Sequence, residues 1–209
     1  GRRFLERRQP SLEAQLANLA DAVAYNNHDV DDGVRAGLIR PEELADLPLF
    51  ARQREAVLRL HPGIRPKQLL HETIRRMIND VVTDLIEETR RRIAGAAPAS
   101  VEEVRSQAGP LVAFSDAKAE EHHALKRFLR RRVYEHERVL AMREQAVKVL
   151  EELFAAFMED PALMPEDHHD TALRLEAEEG AAGRARAVAD YVAGMTDRYA
   201  FQEHQRVRQ

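Results

Sequence analysis

Apolar residues recur every three or four positions along most of this 209-residue chain, the period of helices that bury one face. The first predicted helix runs from Ser11 to about His28, behind a Pro10-Ser11 start signal, with Leu12, Leu16, Leu19 and Val23 as its apolar stripe. A short helix is expected around Asp31–Gly37, and Pro41-Glu-Glu opens another towards Leu60. The run His61-Pro-Gly-Ile-Arg-Pro66 breaks the pattern. A long amphipathic helix follows from Lys67 to about Ala94, with Leu70, Ile74, Ile78, Val81, Val82, Leu85 and Ile93 on its apolar side. Gly95 to Pro110 is rich in Ala, Gly, Pro and Ser, with a short helix from Ser100. Ser115 caps a helix to about His136, Glu137 opens one to about Glu159 that Asp160-Pro161 ends, and helical segments are expected over Pro165–Gly180 and Gly183–Val207. Alternating β-branched runs are missing, so the predicted fold is an all-α, multi-helix bundle with no substantial sheet.

Composition narrows the picture. An apolar content of 44% allows a real core, and 33% charged residues cover a surface. With Lys+Arg 32 against Asp+Glu 36 the net charge is −4, which is no global signature for nucleic acid. The absence of cysteine excludes disulfides, a thiol nucleophile and a thiolate zinc site. No apolar stretch reaches membrane-spanning length and no segment resembles a signal peptide, so the expected location is the cytoplasm, with no membrane partner. Neither a Gly-rich phosphate loop nor a Ser-His-Asp arrangement stands out.

The candidate chemistry lies in the run Leu19-Ala-Asp-Ala-Val-Ala-Tyr-Asn-Asn-His-Asp-Val-Asp-Asp-Gly33. Asp21, Tyr25 and Asp29 are spaced i, i+4, i+8, which stacks them on one side of a helix. Two carboxylates and a phenol are costly to bury without partners, which points to a metal, a polar ligand or both. The alternatives are a solvated face, a core Tyr25, and Asp29 as a helix cap. The run Lys126-Arg-Phe-Leu-Arg-Arg-Arg132 is the strongest basic cluster: Lys126, Arg130 and Arg131 fall near one face, with Phe128 and Leu129 turned inward. That face suits a triphosphate, an effector nucleotide or single-stranded nucleic acid; the alternative is a solvated face paired with Glu120, Glu121, Glu135 and Glu137. The doublets His122-His123 and His168-His169 diverge on a helix and read as solvated. Asp190, Tyr191, Asp197 and Tyr199, among Ala193 and Gly194, read mainly as packing.

Three blocks carry a family resemblance, in family order: the Leu19–Gly33 run, Leu125-Lys-Arg-Phe-Leu-Arg-Arg-Arg-Val-Tyr134, and Arg186-Ala-Val-Ala-Asp-Tyr-Val-Ala-Gly-Met-Thr-Asp-Arg-Tyr-Ala200. Together they resemble the HD-domain deoxynucleoside triphosphate triphosphohydrolases, the dGTPase-like family. The resemblance implies hydrolysis of a deoxynucleoside triphosphate to a deoxynucleoside and inorganic triphosphate, with a divalent ion such as Mg or Mn. It makes Asp21 the last metal ligand and Tyr25 and Asp29 the groups that hold the deoxyribose. The family's first His and its His-Asp doublet would lie upstream of Gly1, as would the acid–base residues. His28-Asp29 is not that doublet, since no His precedes it. Residues 1–60 would then be the C-terminal part of an HD-type core and 61–209 a helical region packing on it. The resemblance further implies a homo-oligomer, and the 209 residues alone are expected to be inactive. The rival expectation is a non-catalytic regulatory or assembly module derived from the same fold.

Overall fold

The computed structural model describes residues 8–208; residues 1–7, the start of the region expected to span 1–60, and residue 209, the end of the region expected to span 61–209, lie outside the described residues. Among the described residues every regular element is helical and no strand occurs, as the periodicity predicts. The chain separates into two compact units, one ending at His136 and the other beginning at Glu137. No described helix is long and apolar enough to cross a membrane.

In the first unit, α1 spans Leu12–Arg35, and Ser11 caps it by accepting from the N–H of Ala14. Its inward side carries Val23 and Val30, with Leu12, Leu19 and Val34 partly covered. Leu16, expected on that stripe, is 49% exposed. Gln15 takes its place: its side-chain N–H donates to Pro10 O at 2.9 Å, and its Oε1 accepts from the N–H groups of Leu111 at 2.9 Å and Val112 at 3.0 Å. The helix also continues past His28 rather than restarting near Asp31. Asp31 pairs with Arg35 four residues on, and Val30, Gly33 and Val34 extend the inward stripe. Gly33 leaves room there: a Cβ would sit 2.6 Å from Cδ1 of the buried Ile39, whose side chain would have to shift to admit it.

The helix expected from Pro41 to Leu60 is two elements, a 3-10 turn over Pro41–Asp46 and α2 over Pro48–Leu60. Leu47 is extended between them (φ −92°, ψ 117°), the conformation that a following proline favours. α3 runs over Pro66–Ala96 and buries Ile74, Met77, Val81 and Leu85. Ile78 and Val82, expected on the same side, are exposed. After the short α4 (Val101–Arg105), α5 spans Asp116–Leu129, capped by Ser115, which itself donates to Asp84 from its N–H (2.9 Å) and its hydroxyl (2.6 Å). The helix does not continue unchanged to His136: a π turn occupies Arg130–Tyr134. Between α2, α3 and α5, Arg52 donates to both oxygens of Glu121 and to Asp80, while Lys118 donates to Asp80 and Glu121. Burial raises the Asp80 carboxyl, and the Lys118 and Arg52 hydrogen bonds outweigh it, holding the group below its usual range.

The second unit packs α6 (Glu137–Glu159), α7 (Glu166–Glu179), α8 (Ala181–Ala193) and α9 (Asp197–Val207) around Leu153, Phe157, Val188 and Tyr191. The single helix expected over Gly183–Val207 is interrupted at Gly194–Thr196, where Thr196 caps α9 by accepting from Tyr199 N–H. α7 and α8 approach closely at Gly183, where a Cβ would fall 2.0 Å from the carbonyl oxygen of Leu175.

Candidate functional site

The outward side of α1 carries Asp21 and Tyr25, with Asp29 half-buried a turn further on. The ladder is therefore not buried as the sequence suggested. The inward stripe of α1 passes through Gln15, Asn26 and Asn27, which turns Asp21 and Tyr25 away from the core. The Asp21 side chain has no ion pair or hydrogen bond among the described residues, and Tyr25 is 62% exposed.

Asp29 does not cap a following helix; it accepts a hydrogen bond from the Tyr134 hydroxyl, delivered by the π turn. That bond, then burial, then the neighbouring Asp29 and Tyr25 charges, push the Tyr134 phenol up to about 12. Tyr134 therefore remains a neutral donor throughout the physiological range. A π turn carries more residues per turn than an α-helix, so the side chains of 130–134 are re-aimed relative to a continuous α5. Tyr134 is the functional candidate that helical spacing did not single out. Its only signal was its place at the end of the Leu125–Tyr134 block.

Behind this face, Asn26 Nδ2 lies 3.2 Å from His122 Nε2, and the His122 ring sits 5.2 Å from that of Phe114. His122 is 7% exposed, which corrects its reading as solvated. Burial, followed by the charges of His123 and Lys126, pushes the His122 imidazole below its usual range. A neutral ring can accept from the Asn26 amide. The signal for burial was present: His122 precedes Leu125 and Leu129 by three and seven residues, on the side of α5 that packs inward.

Lys126, Arg130 and Arg131 are all exposed, with Phe128 and Leu129 buried beneath them. Arg130 is paired to Glu135 at 2.7 Å and Arg127 to Glu120 at 2.7 Å. Lys126 and Arg131 have no carboxylate partner among the described residues. His28 is exposed and lies in a cleft with Asp31 and His71, separate from Asp29. No group of three or more His, Cys, Asp or Glu among the described residues could hold a metal ion. Asp21 offers one free carboxylate, and these residues alone do not form a metal site.

The regular elements of the described residues are all helical, and residues 112–206 match the phosphohydrolase-associated domain. The chain is also similar to proteins named deoxyguanosinetriphosphate triphosphohydrolase-like protein. It is 50% identical to the one from Ralstonia nicotianae over 99% of this chain and 51% of the relative. For Thiobacillus denitrificans the figures are 47%, 99% and 53%, and for Bordetella pertussis 50%, 99% and 52%. The chain is a homologue of these dGTPase-like proteins along its length, and it spans about half the length of the relatives it matches.

Proposed function

We propose that this chain is the C-terminal part of a metal-dependent hydrolase that converts a deoxynucleoside triphosphate to a deoxynucleoside and inorganic triphosphate. In this reading residues 1–60 complete an HD-type core, and residues 61–209 are the helical region that follows it in the chain. The observation that carries this reading is the meeting of Tyr25, Asp29 and Tyr134 at the outward side of α1. Tyr134 occupies one oxygen of Asp29, which leaves the other to accept the sugar 3′-hydroxyl. The open ring of Tyr25, one turn earlier, offers an edge for the deoxyribose. A carboxylate at the sugar end also repels phosphate, which orients the substrate with its triphosphate away from Asp29.

Asp21 would contribute one ligand to a divalent ion such as Mg or Mn, the other ligands coming from chain outside these 209 residues. Lys126 and Arg131, without a carboxylate partner among the described residues, supply positive charge for a polyanion, whether the triphosphate, an effector nucleotide or single-stranded nucleic acid. The protein is placed in the cytoplasm and assembles as a homo-oligomer in this reading.

The test is release of inorganic triphosphate from each deoxynucleoside triphosphate by the intact protein, with Mg or Mn present and again with the metal chelated. Metal-dependent release supports the proposal. No release from any of the four substrates overturns it and favours a non-catalytic regulatory module. The isolated 209 residues are expected to release triphosphate negligibly.

A further inference from the structure

The first unit contains a cavity of about 600 Å³ where the end of α1, the 3-10 turn, α2 and the first turns of α3 meet. None of Asp21, Tyr25, Asp29 or Tyr134 lines it. Its apolar lining includes Val34, Phe50 and Leu70. Arg54 and Lys67 stand on its walls without a carboxylate partner among the described residues, whereas Arg35 is held by Asp31. Lys67 belongs to the first turn of α3, whose N-terminus has no side-chain cap, so the helix end adds to the positive field there. Glu42 contributes an acceptor on the same wall.

Cavities of this size, mostly apolar with a few placed polar groups, are the form that small-molecule sites take. Two cations without a carboxylate partner among the described residues, beside apolar surface, complement a ligand with an anionic end and an apolar body; a neutral apolar ligand would leave both cations idle, and a purely ionic one would leave the apolar lining wet. We propose that this cavity binds a small amphipathic anion, a compact apolar or aromatic body carrying one phosphate or carboxylate. A nucleoside monophosphate and a medium-chain carboxylate share that chemistry. Because the site is separate from the α1 ladder, it stands whether or not the triphosphohydrolase reading does.

The probe is 8-anilino-1-naphthalenesulfonate, an aromatic body with one sulfonate, titrated into the 209-residue protein by fluorescence. One saturable site is expected, displaced by dAMP or by octanoate, and the displacing competitor identifies which source the cavity accepts. Arg54→Glu with Lys67→Glu should weaken probe binding at least tenfold, since each lost charge-assisted contact is worth on the order of tenfold, with near-ultraviolet circular dichroism unchanged. If that double variant misfolds, Arg54→Gln with Lys67→Gln should still weaken binding severalfold. Lys126→Glu with Arg131→Glu, on the other basic surface, should leave it unchanged. Non-saturable binding, equal affinity in a folded Arg54/Lys67 variant, or failure of both competitors would overturn the assignment.

Discussion

Tyr134 donates a hydrogen bond to Asp29 across 105 positions of sequence, joining the π turn after α5 to the polar side of α1. The bond uses one Asp29 oxygen and fixes where the other points, so it acts on the carboxylate that the proposed reaction needs. Tyr134→Phe in the intact protein removes the donor and leaves the ring. Use of a deoxynucleoside triphosphate should fall by roughly tenfold to a hundredfold in kcat/KM, the usual loss for one polar contact. Tyr25→Phe and Asp29→Asn should do the same while metal affinity, measured by calorimetry, stays near the parent's. Asp21→Ala should abolish both. If Asp29→Asn removed the metal and Asp21→Ala did not, the roles of the two carboxylates would be reversed.

His122 makes the first unit pH-sensitive in a defined direction. Its imidazole is held below the ordinary value of 6.5, chiefly by burial, so the unfolded chain binds the proton more readily than the folded one. The stabilisation is fully present above about pH 6.5 and is lost as pH falls below it, at no more than about 1.4 kcal/mol per pH unit. Thermal melts between pH 7.5 and 5 should show the parent losing more stability than His122→Gln, which keeps a partner for Asn26 and has nothing to titrate. Parallel pH profiles for the two proteins would refute the assignment.

Three glycines should respond to alanine in three different ways. Gly183→Ala drives a Cβ to 2.0 Å from a backbone oxygen that cannot retreat, and should cost about 3 kcal/mol or more. Gly33→Ala meets the Ile39 side chain at 2.6 Å and Val133 at 3.1 Å, so repacking should limit the loss to about 1–2 kcal/mol. Gly95, late in α3 with nothing within 4 Å, should gain about 0.5–1 kcal/mol from the better helix former. Urea denaturation of the three variants checks the order.

The basic surface around Phe128 should depend most on the cations that have no carboxylate partner among the described residues. Lys126→Glu with Arg131→Glu should weaken binding of labelled dGTP or an oligonucleotide to the intact protein. The loss should shrink as salt rises, because screening already weakens those contacts. Arg130, paired to Glu135, should matter less when replaced alone. Equal affinities for parent and double variant at low and high salt would return the cluster to a solvated surface.

Local signals in the sequence carried the fold a long way. Ser11, Ser100 and Ser115 were readable as caps because capping depends on the residue and its near neighbours. The break at Leu47-Pro48 was equally local, yet the apolar period running from Leu44 to Phe50 masked it. The choice of Gln15 over Leu16 for the inward stripe was not readable. It depends on two N–H groups nearly a hundred residues away that need an acceptor. In the candidate site, helical spacing placed Asp21, Tyr25 and Asp29 on one side of α1, since that is a property of one helix. Tyr134 and the Asn26–His122 contact are meetings between helices, set by how α1 and α5 pack and by a π turn that no apolar period announces.

The segment matched by the phosphohydrolase-associated domain begins at residue 112, whereas the second folded unit begins at Glu137. The intervening α5 belongs to the core of the first unit through Leu125, Phe128 and Leu129. Cutting at the start of the matched segment would tear those three side chains from Met77 and Val81 and leave them as a sticky flank on an otherwise complete four-helix piece. Evolutionary recurrence and physical autonomy thus draw different borders in this protein, and a cut at Glu137 is the one that keeps both cores whole.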